Sequence, residues 1–379
     1  MKRASTLILL GAVLLSLQSC FVAKDYKRPD VVKQEYYRTD NITRDSLTIA
    51  TVKWEDLFTD PDLQQYIREG LENNIDIRVA LQQIKEAQAY LKQGKAAFFP
   101  TLNGDAQYTH QELSGSSQFG NQFSALDQYQ LSANLSWEAD IWGRIRSNER
   151  AFNARYLQTV AAHKAVKTQL IADIASVYYQ LLALDEEIRV TRETIKTRQN
   201  GLETTQALKQ AGNVTAVAVK QTEAQVYTAQ GILIDLEKQS HILENTLSIL
   251  LGHAPQKIER TSLETQEITT PLYTGVPAQL LSNRPDVIAA EFRLRNAFEL
   301  TNVARANFYP SITLSASGGL QSLDIDKLFS TSSLFATVVG GITQPIFNGR
   351  KIRTQYEVSQ AQQEEARLDF RNTILNASK

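Results

Sequence analysis

Cysteine occurs once in the 379 residues, proline nine times, and neither sign of charge prevails. A single cysteine, Cys20, excludes any internal disulfide. Prolines this rare leave helices free to run for tens of residues. Forty basic against 41 acidic residues give a net charge of −1, without the basic stripe that a nucleic-acid partner requires. Catalytic signatures are missing too. The histidines His110, His163, His241 and His253 are scattered and show no metal-ligand spacing. There is no phosphate-binding loop, no dinucleotide-binding glycine fingerprint and no nucleophile elbow. No catalytic residue, metal ligand or cofactor is therefore expected, and the chain does not read as an enzyme. A hydrophobic content of 42% nevertheless argues for a folded chain rather than wholesale disorder.

The first 20 residues stand apart. Lys2 and Arg3 precede an apolar run, Leu7 to Leu17, and the stretch closes on Leu17-Gln18-Ser19-Cys20. A charged start, a short apolar core and a small residue before the cleavage point make 1–19 a secretory signal peptide, too short to span a membrane. The closing residues resemble a bacterial lipobox, in which the cysteine becomes the first mature residue and carries acyl chains such as palmitate; an ordinary signal peptide with an incidental thiol is the alternative. Phe21 in place of Asp favours the outer membrane, by resemblance to sorted lipoproteins. Several acyl chains on one residue anchor stably where one alone is marginal.

Beyond an extended segment, 20–60, the chain repeats itself. NNIDIRVALQQIKEAQAYLKQGKAAFFPTL aligns with SNRPDVIAAEFRLRNAFELTNVARANFYPSI at a shift of about 210, so that Phe98 falls on Phe308 and Pro100 on Pro310. Further on, Gly143-Arg144 aligns with Gly349-Arg350 at a shift of about 206. The order of features agrees: helix, aromatic-aromatic-proline, strand, loop, strand, glycine, helix. A period this long marks a duplicated half rather than a solenoid unit. The first repeat covers 61–280 and the second 281–379. Pro100, Gly143, Pro310 and Gly349 mark the strand–helix junctions. Arg284-Pro285-Asp286 opens the second repeat's helix, 284–307, with proline in the first turn and an acid at the positive end of the dipole.

The strands alternate cleanly. Tyr129, Leu131, Ala133, Leu135 and Trp137 take turns with Gln128, Gln130, Ser132, Asn134 and Ser136. Similar alternation predicts strands over about 101–111, 127–138, 311–319 and 334–346. A soluble sandwich with one buried face is one reading. Length favours another, because about 9–11 residues is what a tilted strand needs to cross a bilayer. Four strands cannot close into a barrel, and an open edge cannot sit in lipid. Two chains would give eight strands with a filled interior, so three chains and twelve strands are the smallest assembly with a lumen.

From Arg144 to Gly212 the chain has no proline and, before its end, only Gly201. Leu170, Ile174, Val177, Leu181, Leu184 and Ile188 recur at steps of four and three, and Val226, Ala229, Leu233, Leu236, Ser240, Leu243, Leu247 and Leu250 repeat the pattern. This predicts a long antiparallel helical hairpin, 144–250, with coiled-coil seams and a turn at Gly212-Asn213. A looser segment, 251–280, follows. A cytoskeletal coiled coil is the competing reading, but it leaves the leader and the strands unexplained.

Tyr26-Lys27-Arg28-Pro29, Trp54 with Leu57-Phe58-Thr59-Asp60-Pro61, LSWEADIWGR, LLSNRPDVIAAE, ARANFYPSITL and TQPIFNGR, taken with Cys20, resemble the outer-membrane efflux proteins of the TolC and OprM kind in their lipid-anchored branch. The resemblance implies a mainly helical chain with membrane strands. It implies a homotrimer with a twelve-stranded transmembrane β-barrel and a periplasmic α-helical tunnel, lipid-anchored in the outer membrane of a Gram-negative bacterium. Docking on a periplasmic adaptor and an inner-membrane efflux pump is implied as well, with Gly212, Asn213 and Val214 at the tip that adaptors touch. The function implied is passive export of small molecules such as drugs. A channel for type I protein secretion, or a non-conducting lipid-anchored adaptor or coiled-coil protein, are the alternatives; adaptors carry a helical hairpin, but not two copies with matched strand pairs. Trp137 and Trp142 suit either a membrane interface or plain packing. The second repeat's tip would fall beyond Lys379, so the chain reads as C-terminally incomplete. No gate residue is assigned, and the fragment alone is not expected to form a channel.

Overall fold

The computed structural model describes residues 22–30, 53–116, 124–267 and 283–377. The leader, Cys20 and residues 268–282 lie outside them. In chain order the elements are α1 (Trp54–Leu57), α2 (Pro61–Asn73), α3 (Ile75–Ala96), β1 (Thr101–Glu112), β2 (Ala125–Ala139), α4 (Arg144–Gln210), α5 (Ala216–Leu250), α6 (Pro285–Ala306), β3 (Ser311–Ser322), β4 (Leu334–Thr343) and α7 (Lys351–Ala377). No described helix is long and apolar enough to cross a membrane.

Short polar side chains start the helices by taking up their orphan amides. Asp60 accepts from the amides of Asp62 and Leu63 at 2.8 and 3.1 Å, with Pro61 in the first turn. Asn74 does the same for Asp76 and Ile77, and Asp140 for Ile145 and Arg146. Thr215 caps α5.

The duplication is visible in the elements. α3 and α6 each run 22 residues, β1 and β3 each run 12, and both pairs are offset by 210 positions. Their exits also match: the amide of Phe99 bonds the Ala96 carbonyl, and that of Tyr309 bonds the Ala306 carbonyl, each at 3.0 Å. Each aromatic-aromatic-proline corner is one tight turn between a helix and a strand.

Two compact units emerge, and α3, α4 and α6 each supply residues to both. The first holds a four-stranded sheet in the order β1-β2-β3-β4, antiparallel throughout. β3 reaches Ser322, beyond the 319 that alternation predicts, because pairing with β2 carries its glycine-rich end. β4 stops at Thr343, short of 346. Pro345 has no amide to donate, and the Gln344 side chain turns to bond the Phe308 carbonyl at 3.1 Å.

In the second unit Leu63, Ile67, Leu170, Ile174, Tyr178, Leu181, Leu182, Leu247, Leu251 and Ile258 form one buried cluster. Burial of each large apolar side chain contributes roughly 1.5–3 kcal/mol. α4 and α5 pair antiparallel: Arg192 meets Glu237 at 2.8 Å, while Arg198 donates to the Gln225 carbonyl at 2.7 Å. Ile174, Leu181, Val226, Ala229 and Leu247 of the predicted seams are buried. Gly70 permits the close approach, since a Cβ there would lie 2.5 Å from the Ile174 side chain.

Candidate functional site

In antiparallel sheets, residues directly opposite each other share a face, so the register separates the two surfaces. Leu102, Leu135, Ala316 and Val338 form one row across all four strands. Gly104, Ala133, Gly318 and Ala336 form another, and Ala106, Leu131, Leu320 and Leu334 a third. The alternate rows are polar: Asn103 with Asn134, Ser317 and Thr337, then Gln107 with Gln130 and Gln321. A soluble sandwich buries the apolar face. Here that face lies open, with Leu102 70%, Val338 71% and Ile342 73% exposed, while Ser132 on the polar face is only 6% exposed. The polar face is open as well on β1 and β4, so what departs from a soluble sheet is that its large apolar side chains are left uncovered, as in a sheet whose outer solvent is lipid. Strands of about 12 residues, tilted, cover about 30 Å.

None of the four strands contains lysine or arginine. On the polar face Glu138 is bonded by Arg144 at 3.0 and 2.5 Å, and Asp105 accepts from Asn134 Nδ2 at 2.6 Å. The sheet ends at β1 on one side and β4 on the other, so each edge presents a row of unpaired backbone groups.

Between the strands and the helices the backbone takes unusual conformations. Gly143 (φ +76°) and Gly349 (φ +60°) occupy the left-handed region, and Arg350 follows Gly349 there at φ +67°. Pro310 gives its carbonyl to Trp142 Nε1 at 2.7 Å, and the indole stacks on Tyr309 with ring centroids 5.1 Å apart. Beside Pro100, the Phe98 carbonyl accepts from Trp137 Nε1 at 2.9 Å. Packing therefore accounts for Trp142, whereas Trp137 stays more than a third exposed at the end of the apolar face.

At the far end of α4 the chain reverses over a few residues. Gly212 takes φ +81°, its amide bonds the Lys209 carbonyl, and the Asn213 amide bonds that of Leu208 at 2.9 Å. This pair of bonds is the Schellman stop, which needs a residue that tolerates positive φ. Gly212 and Asn213 are exposed and Val214 half-buried. Arg284 forks onto Asp286 at 3.1 and 2.8 Å, and Asp286 accepts from the Val287 amide at 2.9 Å, fixing the start of α6.

Residues 66–253 and 276–379 match the sequence profile of the outer membrane efflux protein family. The chain belongs to that family. It is 30% identical over 370 residues to the solvent efflux pump outer membrane protein SrpC of Pseudomonas putida, covering 96% of this chain and 79% of that protein. It is 27% identical over 373 residues to the cation efflux system protein CusC of Escherichia coli O6:H1, covering 97% and 79%. A crystal structure of a membrane protein from Pseudomonas aeruginosa superposes with a TM-score of 0.84 at 27% identity, covering 94% of this chain and 81% of that one. The protein is thus an outer-membrane efflux channel subunit, a transport protein of Gram-negative type.

Two clusters in this efflux protein escaped the sequence reading. Asp60 caps α2 with one oxygen, and its second oxygen accepts from Tyr178 at 3.0 Å, Thr261 at 2.5 Å and Gln266 at 2.7 Å. Burial pushes this carboxyl up, yet the bonds from Thr261, Gln266, the Leu63 amide and Tyr178 outweigh it and hold its pKa below the usual range. Nearby, Arg260 forks onto Asp185 at 2.6 and 2.7 Å and reaches Glu244 at 2.6 Å. Burial works against its charge, but both carboxylates override this and keep the guanidinium protonated. Together these bonds pin 258–266 onto α4 and α5.

The second cluster holds the N-terminal segment. Asn302 accepts from the Lys24 amide at 3.1 Å and donates to the Lys24 carbonyl at 2.9 Å. Tyr26 packs edge-on to Phe298, and Arg28 meets Glu291 at 3.4 Å. Beneath the clamp, Glu299 is buried against Arg150 at 3.1 Å. Its carboxyl is pushed up by burial, and Arg150 and Asn302 only partly offset this. The sequence signal was the Tyr26-to-Pro29 motif, which says nothing of its partners.

Proposed function

We propose that three copies of the chain join their four-stranded sheets into one twelve-stranded barrel, which forms a passive outer-membrane conduit for small molecules. The observation that carries this reading is the pair of bare edges, β1 and β4, on a sheet whose apolar face lies open. In lipid, unpaired backbone groups cost several kcal/mol each, so the edges must find partners. A second copy supplies them in principle, but eight strands leave an interior filled by side chains, while twelve leave a lumen.

In this reading Cys20 is acylated and holds the mature N-terminus at the membrane. The contact that a Cβ at Gly143 would make with Ala23, at 3.2 Å, supports it, because the third residue after Cys20 then lies at a strand–helix junction. The turn Gly212-Asn213-Val214 is the surface offered to a periplasmic adaptor, through which an inner-membrane pump delivers cargo and supplies the energy. Solvents and cations, the cargo classes in the names SrpC and CusC carry, support small solutes over polypeptides.

The test is full-length protein extracted from outer membranes, as wild type and as Cys20→Ser, placed in planar bilayers. Both are expected to give stepwise conductance and to run as a heat-sensitive trimer, since the barrel rather than the acyl chain holds the protein in lipid. A water-soluble, non-conducting monomer from Cys20→Ser would overturn the reading.

A further inference from the structure

The polar face of the sheet is mainly serine, threonine, asparagine and glutamine, with Leu126, Phe335 and Val339 as its large apolar members, and two carboxylates are its only charges. Glu138, at the end of β2, is neutralised by the fork of Arg144. Asp105 lies within β1 and has no cation: its described partner is the neutral amide of Asn134, which donates to Oδ2 at 2.6 Å and also reaches Ser132 Oγ at 3.4 Å. That arrangement fixes the carboxylate against the wall without removing its charge.

Closing the ring does not supply a counterion either. In an assembly of identical chains β1 must meet β4, and β4 reads LFATVVGGIT, without a charged residue. Whatever register the two strands adopt, Asp105 stays unpaired by them. We infer that Asp105 is a specificity-determining residue of the barrel lumen: its three symmetry-related carboxylates make the outer-membrane segment prefer cationic solutes over anionic ones. This deepens the channel reading and rests on it.

The physical scale is favourable. A twelve-stranded wall stands on the order of 10 Å from the axis, comparable with the screening length of about 10 Å at 0.1 M salt. Carboxylates projecting inward therefore influence the whole cross-section at low salt and fade at high salt, and rings of acidic side chains select cations in this way.

Two measurements on the full-length membrane-extracted protein test the assignment. In bilayers with a KCl gradient at low ionic strength, the wild type is expected to favour K⁺ over Cl⁻ by about three- to tenfold. Asp105→Asn is expected to bring the ratio close to one, and Asp105→Lys to invert it. Independently of current, Cys20 is the one cysteine in these 379 residues, so a thiol placed at Gln130 on the polar face reports local potential against the parent protein as background. In Gln130→Cys, the ratio of rates for a cationic and an anionic methanethiosulfonate reagent is expected to fall about threefold when Asp105→Asn is added. Channels with one reversal potential in all three proteins, or an unchanged reagent ratio, overturn the assignment. If instead no channel forms and Leu131→Cys reacts with these reagents while Gln130→Cys does not, the face assignment fails, and the barrel reading fails with it.

Discussion

Asp60 and Glu299 are both buried carboxylates, and their surroundings pull them in opposite directions. Asp60 collects two backbone amides, a phenol, a hydroxyl and an amide side chain, enough to overcome desolvation. Glu299 has Arg150 and Asn302 and does not overcome it. Asp60→Ala removes a helix cap and strands three further donors, so a loss of roughly 2–4 kcal/mol is expected, read as an earlier thermal melt of helical circular dichroism. The sign of the pH dependence follows from the lowered pKa. A carboxylate more acidic when folded contributes stability above its ordinary value, near 4, and loses it as pH falls through the folded value. Wild-type stability is therefore expected to drop below about pH 4, and Asp60→Asn is expected to show a smaller drop, since Asp286 and other lowered carboxylates remain. An aspartate before a proline is a local helix-start signal, which Asp60-Pro61 carries. Tyr178, Thr261 and Gln266 lie 118, 201 and 206 positions away, and no local pattern encodes such pairs.

Among the elements, periodicity told most. Steps of four and three located the seams of α4 and α5, and alternation located the strands, because each period is imposed by a local geometry. Alternation alone did not say whether the apolar face is covered; the exposures of Leu102 and Val338 show that it is not, among the described residues. Nor did it fix the strand ends, since β3 is prolonged by its partner and β4 is cut short by Gln344-Pro345. Gly319 shows what pairing demands at one position. A Cβ there would run into the Leu131 carbonyl oxygen, which the adjacent Gly318 avoids, its nearest neighbour being the Phe335 carbonyl at 3.6 Å. Gly319→Ala is expected to cost about 1–3 kcal/mol, or more where backbone has to shift, and to lower the temperature at which detergent-resistant oligomer dissociates. Gly318→Ala is expected to leave that temperature within a few degrees of wild type.

For the whole molecule, the distribution of polarity over the sheet is what separates a channel wall from a soluble domain. Among the described residues the apolar rows have no partner within the chain, and the edges have none either. An arginine on each face distinguishes the two environments. Ala133→Arg, on the apolar face, is expected to cost about 2–4 kcal/mol and to reduce the protein recovered from outer membranes, whereas Asn103→Arg, on the polar face, is expected to assemble normally. The most direct measurement is oxidative cross-linking between the edges. Ala106→Cys on β1 is combined in turn with Ala336→Cys, Val338→Cys or Gly340→Cys on β4, positions at opposite ends of the same four-stranded sheet. Joining of β1 to β4 of the next copy predicts, for at least one pair, a covalent ladder that stops at three chains. Absence of any intermolecular cross-link across the series, in protein recovered from the outer membrane, would contradict it.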